Sequence, residues 1–381
     1  MSAAIKKTFD SNVYLQSETD KADQSSLVTS LLPQLSAAWN PGPLFGATLT
    51  YSPEFTWFQA EPSEDFVAHR ATVAASGKHG ETAWDSTTSL VFMDGSSIGP
   101  TWTGAGGAPA AGGPAVRDRR DAAVYRTGVR VTGTLEQWFV RPVATFHLHD
   151  FQTEQRSTVG YQNFVDRSEV TVGGDLGRQL PRKLSASLGY RYGIQDQAKL
   201  LAFPEECDST FHRVLFGIEG MPAAWVKLNF TIGPEFRRYG SDVPATFGDR
   251  NELNLFVDAS VTFTPTKADT LALSVKQFEQ PGFGGRSAYE DLTYDLTYRH
   301  KFNPRWTTGV GGRAYRTDFL DPVNRDDWVL SANTFVNCAI NTHLSAEASY
   351  VYEEGLSLVA NTSGREYHRH LVALGIKWVF R

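Results

Sequence analysis

The sequence predicts an all-β fold, a closed antiparallel transmembrane β-barrel of about eighteen strands, and three observations predict it. Apolar and polar residues alternate with period two from one end of the 381 residues to the other. The connections between the alternating segments are short and long in turn. Both termini fall on the short-connection side, so the first and last strands can pair antiparallel and leave no sheet edge. Composition agrees. Hydrophobic residues make up 41% and aromatics 12% of the chain, and mean hydropathy is −0.31. Those values are too polar for a bundle of membrane helices, and no apolar run of about eighteen residues exists to make one. A barrel strand needs no such run, because every second side chain faces water.

Tight reversals are expected at Asn40-Pro41-Gly42-Pro43, Gly77-Lys78-His79-Gly80, around Glu136, Arg178-Gln179-Leu180-Pro181-Arg182, Met221-Pro222-Ala223, Thr264-Pro265-Thr266-Lys267, Asn303-Pro304-Arg305 and Asn341-Thr342-His343. Pro, Gly and Asn dominate them because they supply the fixed or positive φ that such turns need. Longer polar connections centre on residues 17–24, 59–64, 94–120, 150–166, 195–209, 238–250, 280–287, 318–326 and 354–364. The first strand is expected from about Ile5 to Gln16 and the last from about Glu366 to Phe380. Lipid-facing rows read Leu27, Leu31, Leu35, Trp39; Val226, Leu228, Phe230, Ile232; Leu253, Leu255, Val257, Ala259, Val261, Phe263; and Trp328, Leu330, Ala332, Val336, Ile340. In the last strand His370, Val372, Leu374, Ile376, Trp378 and Phe380 share one face, and Arg369, Ala373, Gly375 and Lys377 the other. Aromatic residues gather near strand ends, as girdles at two membrane interfaces require. The whole chain, 1–381, reads as one barrel domain.

The net charge of −6 is spread along the chain without a basic block, so nucleic acid is not an expected partner. Cys207 falls in a loop and Cys338 near the opposite end of a strand, which opposes a disulfide, and no C-x-x-C spacing suggests a metal. His147-Leu148-His149 and His368-Arg369-His370 place histidine pairs on single strand faces. Without a third ligand in view they read as solvent or headgroup contacts at the rim. No serine is marked as a nucleophile and no glycine loop carries a phosphate-binding ending, so neither catalysis nor a cofactor is expected. The start, Met1-Ser2-Ala3-Ala4-Ile5-Lys6-Lys7, is too short and polar for a secretory signal, which is expected to have been removed.

A barrel this wide holds water, and its inward residues decide what passes. Alternation points Arg126, Arg130, Arg141, Arg167, Arg191, Arg213 and Lys227 inward against Glu169, Asp175, Glu219 and Glu235. It points Glu252, Asp258, Asp291, Asp295, Asp327, Glu347 and Glu353 inward against Lys276, Arg299 and Arg313. A basic wall facing an acidic wall would set a transverse field across the lumen; pairing along neighbouring strands would cancel it. The longest connection, 94–120, is rich in Gly, Ala and Pro and carries Arg117, Asp118, Arg119 and Arg120. It would be the third long loop, placed either as a surface loop or folded inward as a constriction.

The spacing of Gly375, Trp378 and Phe380 resembles the C-terminal insertion signal of bacterial outer-membrane β-barrels. The opening Lys7-Thr8-Phe9-Asp10-Ser11-Asn12-Val13-Tyr14-Leu15 is similar to that of β-barrel porins of bacterial outer membranes, some of which sit among genes for surface polysaccharide. The resemblance implies a Gram-negative outer membrane with its lipid and lipopolysaccharide, insertion by the barrel assembly machinery, and a channel for passive diffusion of small hydrophilic solutes. A homo-oligomer or a surface protein partner is compatible with it. Export of surface polysaccharide and a non-conducting scaffold that binds through its loops are the alternatives. Asp10 and Asn12 are expected either to serve that function or simply to close hydrogen bonds where first and last strands meet.

Overall fold

The computed structural model describes residues 1–15, 17, 23–95, 121–151, 166–198, 205–281, 288–321, 325–357 and 366–380. Among these lie nineteen strands: β1 (Ser2–Asp10), β2 (Ser26–Gly42), β3 (Phe45–Tyr51), β4 (Glu54–Phe58), β5 (Phe66–His79), β6 (Thr82–Gly95), β7 (Ala122–Leu135), β8 (Trp138–Asp150), β9 (Arg167–Leu180), β10 (Leu184–Gln197), β11 (Ser209–Ala223), β12 (Val226–Tyr239), β13 (Asn251–Phe263), β14 (Asp269–Pro281), β15 (Ala288–Lys301), β16 (Trp306–Phe319), β17 (Arg325–Ala339), β18 (Leu344–Ser357) and β19 (Tyr367–Val379). β3 and β4 lie end to end between β2 and β5. Pro53, which has no N–H for a ladder bond, sits at the break. The nineteen segments therefore make eighteen staves, all antiparallel.

β1 pairs with β2 on one side and with β19 on the other, from Ser2↔Val379 to Asp10↔Leu371, and the sheet closes on itself. β1 stops at Asp10 rather than running to Gln16, because Asp10, Ser11 and Asn12 turn the chain and tie it to β19. The Ser11 amide donates to the His370 carbonyl (3.1 Å), the His370 amide donates to Ser11 Oγ (2.8 Å), and Asn12 Nδ2 donates to the His368 carbonyl (3.1 Å). Arg369 donates to both oxygens of the buried Asp10 carboxylate, at 2.9 and 2.6 Å. The motif thus takes the seam-closing role. Beyond it Val13 packs with Val28, Phe58, Tyr14 and Phe66 in a small apolar cluster at the long-loop end.

Short turns join the strands at the end that carries both termini. Glu136 and Gly80 take positive φ there, at 53° and 57°. Met221-Pro222-Ala223 is not itself a turn. It lies in β11 beside a register shift between Gly220 and Ala223, and the reversal follows at residues 224–225. Gly220 takes φ 136° at this bulge, where a Cβ would lie 2.1 Å from the Lys183 carbonyl oxygen.

The exterior is apolar. Ile5, Leu188, Val310, Leu374 and Ile376 all stand exposed on it, an arrangement that lipid satisfies and water does not. Trp378 stacks on Phe380 (centroids 6.1 Å) and Trp225 on Phe263 (6.3 Å) at the short-turn girdle. At the opposite girdle tyrosine hydroxyls meet histidine Nδ1 across neighbouring strands: Tyr51 with His69 (2.7 Å), Tyr190 with His212 (2.6 Å), Tyr350 with His370 (2.9 Å) and Tyr352 with His368 (3.1 Å). His368 and His370 thus sit on the outer surface of the barrel.

Candidate functional site: a charged lumen

Each inner face follows from strand parity. In β10, Arg191, Gly193, Gln195 and Gln197 point inward while Tyr190, Ile194 and Asp196 point outward; β11 and β12 repeat the pattern. The inward charges are mostly held by acids on adjacent strands. Arg130 pairs with Asp85 (2.8 Å), Arg191 with Asp175 (2.7 Å), Arg313 with Asp295 (2.5 Å), and Arg141 with Glu219 and, at 3.9 Å, Asp175. Arg213 pairs with Glu235. Among the described residues Lys227 has no ion partner, and neither do Glu252, Asp258 or Glu347. Asp258 sits opposite Lys276 in the ladder, and Asn254 donates to Glu252 at 3.5 Å. Asp291 is buried and accepts from Gln280, Thr293 and Tyr315. Arg130, Arg141, Arg191 and Arg213 of the basic wall are thus met by acids on their own side of the barrel, whereas Glu252, Asp258 and Glu347 of the acidic wall have no ion partner among the described residues.

Arg126 and Arg167 lie with His147 and His149. The register sets His147 opposite Arg126 on one side and Glu169 on the other, and His149 opposite Arg167. These histidines are not rim contacts. Parity turns them into the lumen, and His149 is buried with its ring stacked on Phe151 at 4.0 Å. Among the described residues no group of three potential ligands gathers around any point. Arg117, Asp118, Arg119 and Arg120 lie outside the described residues. Cys207 is buried at the long-loop end, where burial pushes its thiol up to about 12, and neither it nor Cys338 forms a disulfide.

Three inward arginine groups rest on a device that hydropathy patterning does not reveal. Phe139, Phe211 and Phe335 lie flat over Gly177, Gly193 and Gly309 of the neighbouring strands, where an added Cβ would stand 2.0–2.3 Å from ring carbons. On these rings sit guanidinium groups: Arg141 over Phe139 (4.7 Å), Arg213 and Arg237 over Phe211 (4.1 and 4.8 Å), and Arg299 over Phe335 (5.6 Å). Glycine admits the ring, the ring's face attracts the cation, and Arg141, Arg213 and Arg237 are held where an acid meets them. The only sequence signal was a glycine at an inward position of each strand. Gly193→Ala is expected to displace Phe211 and both arginines, destabilising the barrel by about 1–3 kcal/mol. The temperature at which the folded band converts to the unfolded band on a semi-native gel would register it.

The second unforeseen feature lies inside the lumen toward the long loops. β14 pairs with β13 only as far as Val257↔Gln277. Its last residues then bend inside, still paired with β15. Glu279 meets the Tyr239 hydroxyl and the Asn254 amide, and its own carbonyl accepts from Arg237 (3.2 Å) and Gln195 (3.5 Å). Arg237, fully buried, also binds Glu235 (2.5 Å), Ser209 Oγ (2.7 Å) and Gln195. Opposite, Arg167 of β9 comes close to Tyr289 and Asp291 of β15. Above the knot Cys207, Tyr239, Val243, Phe247 and Ala288 form an apolar cluster. Inward residues are thus buried toward the long loops, whereas Glu347 and Lys377 near the short turns stay exposed.

The molecule is a membrane-type β-barrel. No protein-family model matches the chain, and no curated protein sequence does. Among solved structures it is similar to Acinetobacter baumannii OccAB3 (11% identity, TM-score 0.45, covering 100% of this chain and 98% of that one). It is also similar to Pseudomonas aeruginosa OccK2 in complex with glucuronate (10%, 0.45, 99% and 98%). A third is the ferric citrate transporter FecA (12%, 0.43), of which the chain spans 63%.

Proposed function

We propose that this barrel is an outer-membrane channel for small hydrophilic solutes, with the short turns periplasmic and the long loops extracellular. It would pass solutes by diffusion, with no cofactor and no covalent chemistry. The observation that carries the reading is the inner face. It is built of ion pairs and amides in place of the apolar filling that a closed soluble barrel would bury, and it remains water-accessible from the short-turn end. The Arg237–Glu279 knot would set the narrowest point. Solutes able to exchange hydrogen bonds with charged side chains would lose less on entering it than apolar ones.

The same knot favours a second reading, a barrel closed at its outer half that serves as a surface scaffold. Single-channel recording in planar lipid separates the two: steady small conductance supports the channel, and silence at all voltages supports the scaffold. A selectivity test addresses the belt. Arg141→Ala releases Glu219 and weakens the hold on Asp175, so the reversal potential in a salt gradient should move toward cations. An unchanged potential would remove Arg141 from the path of the ions.

A further inference from the structure

The wall of the barrel is incomplete at one place. β13 residues Asn251–Phe256 pair with β12, but among the described residues they have no partner on the β14 side, because β14 leaves the wall after Gln277. Half of those six residues turn their N–H and C=O groups toward the gap. The displaced strand has found substitutes, since Arg237 and Gln195 donate to the Glu279 carbonyl. On the β13 edge the Asn251 amide donates to its neighbour Asp249 (2.9 Å), and among the described residues the backbone groups of Leu253 and Leu255 have no such substitute. The gap also lies at membrane depth. Val257 is six residues along β13 from the girdle residue Phe263, or about 15 Å along the axis for a tilted strand. The apolar band of such barrels is about 25 Å tall. Leu253 (67% exposed), Leu255 and, on β12, Phe236 carry that band past the gap. An open strand edge in hydrocarbon is a costly arrangement that barrels otherwise avoid.

Side-chain parity explains why β14 does not simply fill the gap. Continuing the ladder would set Phe278 opposite Phe256 and Glu279 opposite Leu255, aiming Glu279 at lipid beside Gln277. Inside, the same carboxylate has Tyr239 and Asn254. The gap consequently has two chemically different lips. Leu253 and Leu255 face hydrocarbon, while on the lumen side Glu252 and the Asn254 side-chain oxygen offer acceptors and the buried Glu279 carboxylate is held by Tyr239, Arg237 and Asn254.

We propose that this seam is a lateral portal between the lumen and the outer leaflet, and that it takes an amphiphile. The alkyl chain would lie on Leu253 and Leu255 in the membrane, and a head bearing hydrogen-bond donors such as sugar hydroxyls would lie inside on Glu252 and Asn254. The portal needs the barrel to sit in a bilayer but not to conduct. Failure of the conductance experiment and failure of this one are therefore separate results.

The test uses the full chain in phosphatidylcholine vesicles with dodecyl maltoside as the probe amphiphile. Phe256→p-benzoylphenylalanine places a photo-crosslinker on the inner face at the seam. Phe335→p-benzoylphenylalanine places one on the inner face of β17, where both ladders are complete. Illumination should attach dodecyl maltoside through its sugar head, read by mass spectrometry, at position 256 and none at 335. In a Cys207→Ser, Cys338→Ser background, oxidising a Leu255→Cys, Glu279→Cys pair should draw β14 back into the wall. The adduct at 256 should then be lost, and reduction should restore it. Absence of an adduct at 256 in folded protein, equal adducts at both positions, or an adduct that persists in the oxidised protein would each overturn the portal. Should the Phe256 variant not fold, because Arg213 stacks on that ring at 4.4 Å, Asp258→p-benzoylphenylalanine, the next inner-face position along β13, gives the same readout.

Discussion

Replacing Arg237 by alanine is expected to raise single-channel conductance and to loosen the outer half of the barrel, the largest functional effect any one substitution here should have. Arg237 is fully buried and ties five groups together: Glu235, Ser209, Gln195, and the backbone carbonyl and carboxylate of Glu279, the last at 3.2 Å. Removing one member of a buried ionic network leaves its partners desolvated and unpaired, at a cost of about 3–5 kcal/mol. Glu235 keeps Arg213, so the loss falls on Glu279 and therefore on the inward-folded end of β14. With that end released, the lumen should widen. Glu279→Gln serves as the comparison, because it keeps hydrogen-bonding capacity toward Asn254 and Tyr239 while dropping the charge, and its conductance should lie between the two. If folded Arg237→Ala protein conducts as the parent does, the knot is not the narrowest point.

The largest expected stability effect lies at the seam. Asp10→Ala removes both acceptors of the Arg369 guanidinium and the oxygen that receives the Asn12 amide at 3.1 Å. Glu353 remains at 3.7 Å from Arg369 but is too far to replace a bidentate carboxylate. A loss of about 3–5 kcal/mol is expected, seen as a lower conversion temperature on semi-native gels. The double variant Asp10→Ala, Arg369→Met should recover part of it, since no unpaired charge is then left behind. Additive losses in that cycle would show that the two side chains do not act as a pair. The strand edges at β1 and β19 meet only through one ladder, so weakening it opens the sheet.

How much of this was legible in the sequence differs by level. The outward rows Leu253–Phe263 and Val372–Trp378 are apolar at every second position, and that parity settles which side chains face outward once a strand is granted. The short turns were legible because few residues tolerate their backbone angles. Met221-Pro222-Ala223 misled because proline also suits a bulge. The inward charges could be placed on a face but not paired, since Arg141 of β8 meets Asp175 on the neighbouring β9 and Glu219 on β11, three strands away, and only the curvature of the closed sheet brings the latter within reach. The Phe–Gly–Arg stacks were invisible for the same reason: Phe211 and Gly193 are eighteen residues apart in the chain and adjacent only across the β10–β11 ladder.

The sequence by itself therefore determined a ribbon with one face for lipid and one for water, repeated often enough to close, because side-chain parity is a local property of extended chain. Tertiary structure alone decided which acids Arg130, Arg141, Arg191 and Arg213 meet, that the end of β14 leaves the wall, and that the outer lumen is crossed by Arg237 and Glu279. Those depend on register and on the burial of charge across strands far apart in sequence. A buried carboxylate takes whichever partner the closed barrel brings within reach, and no local pattern encodes that choice.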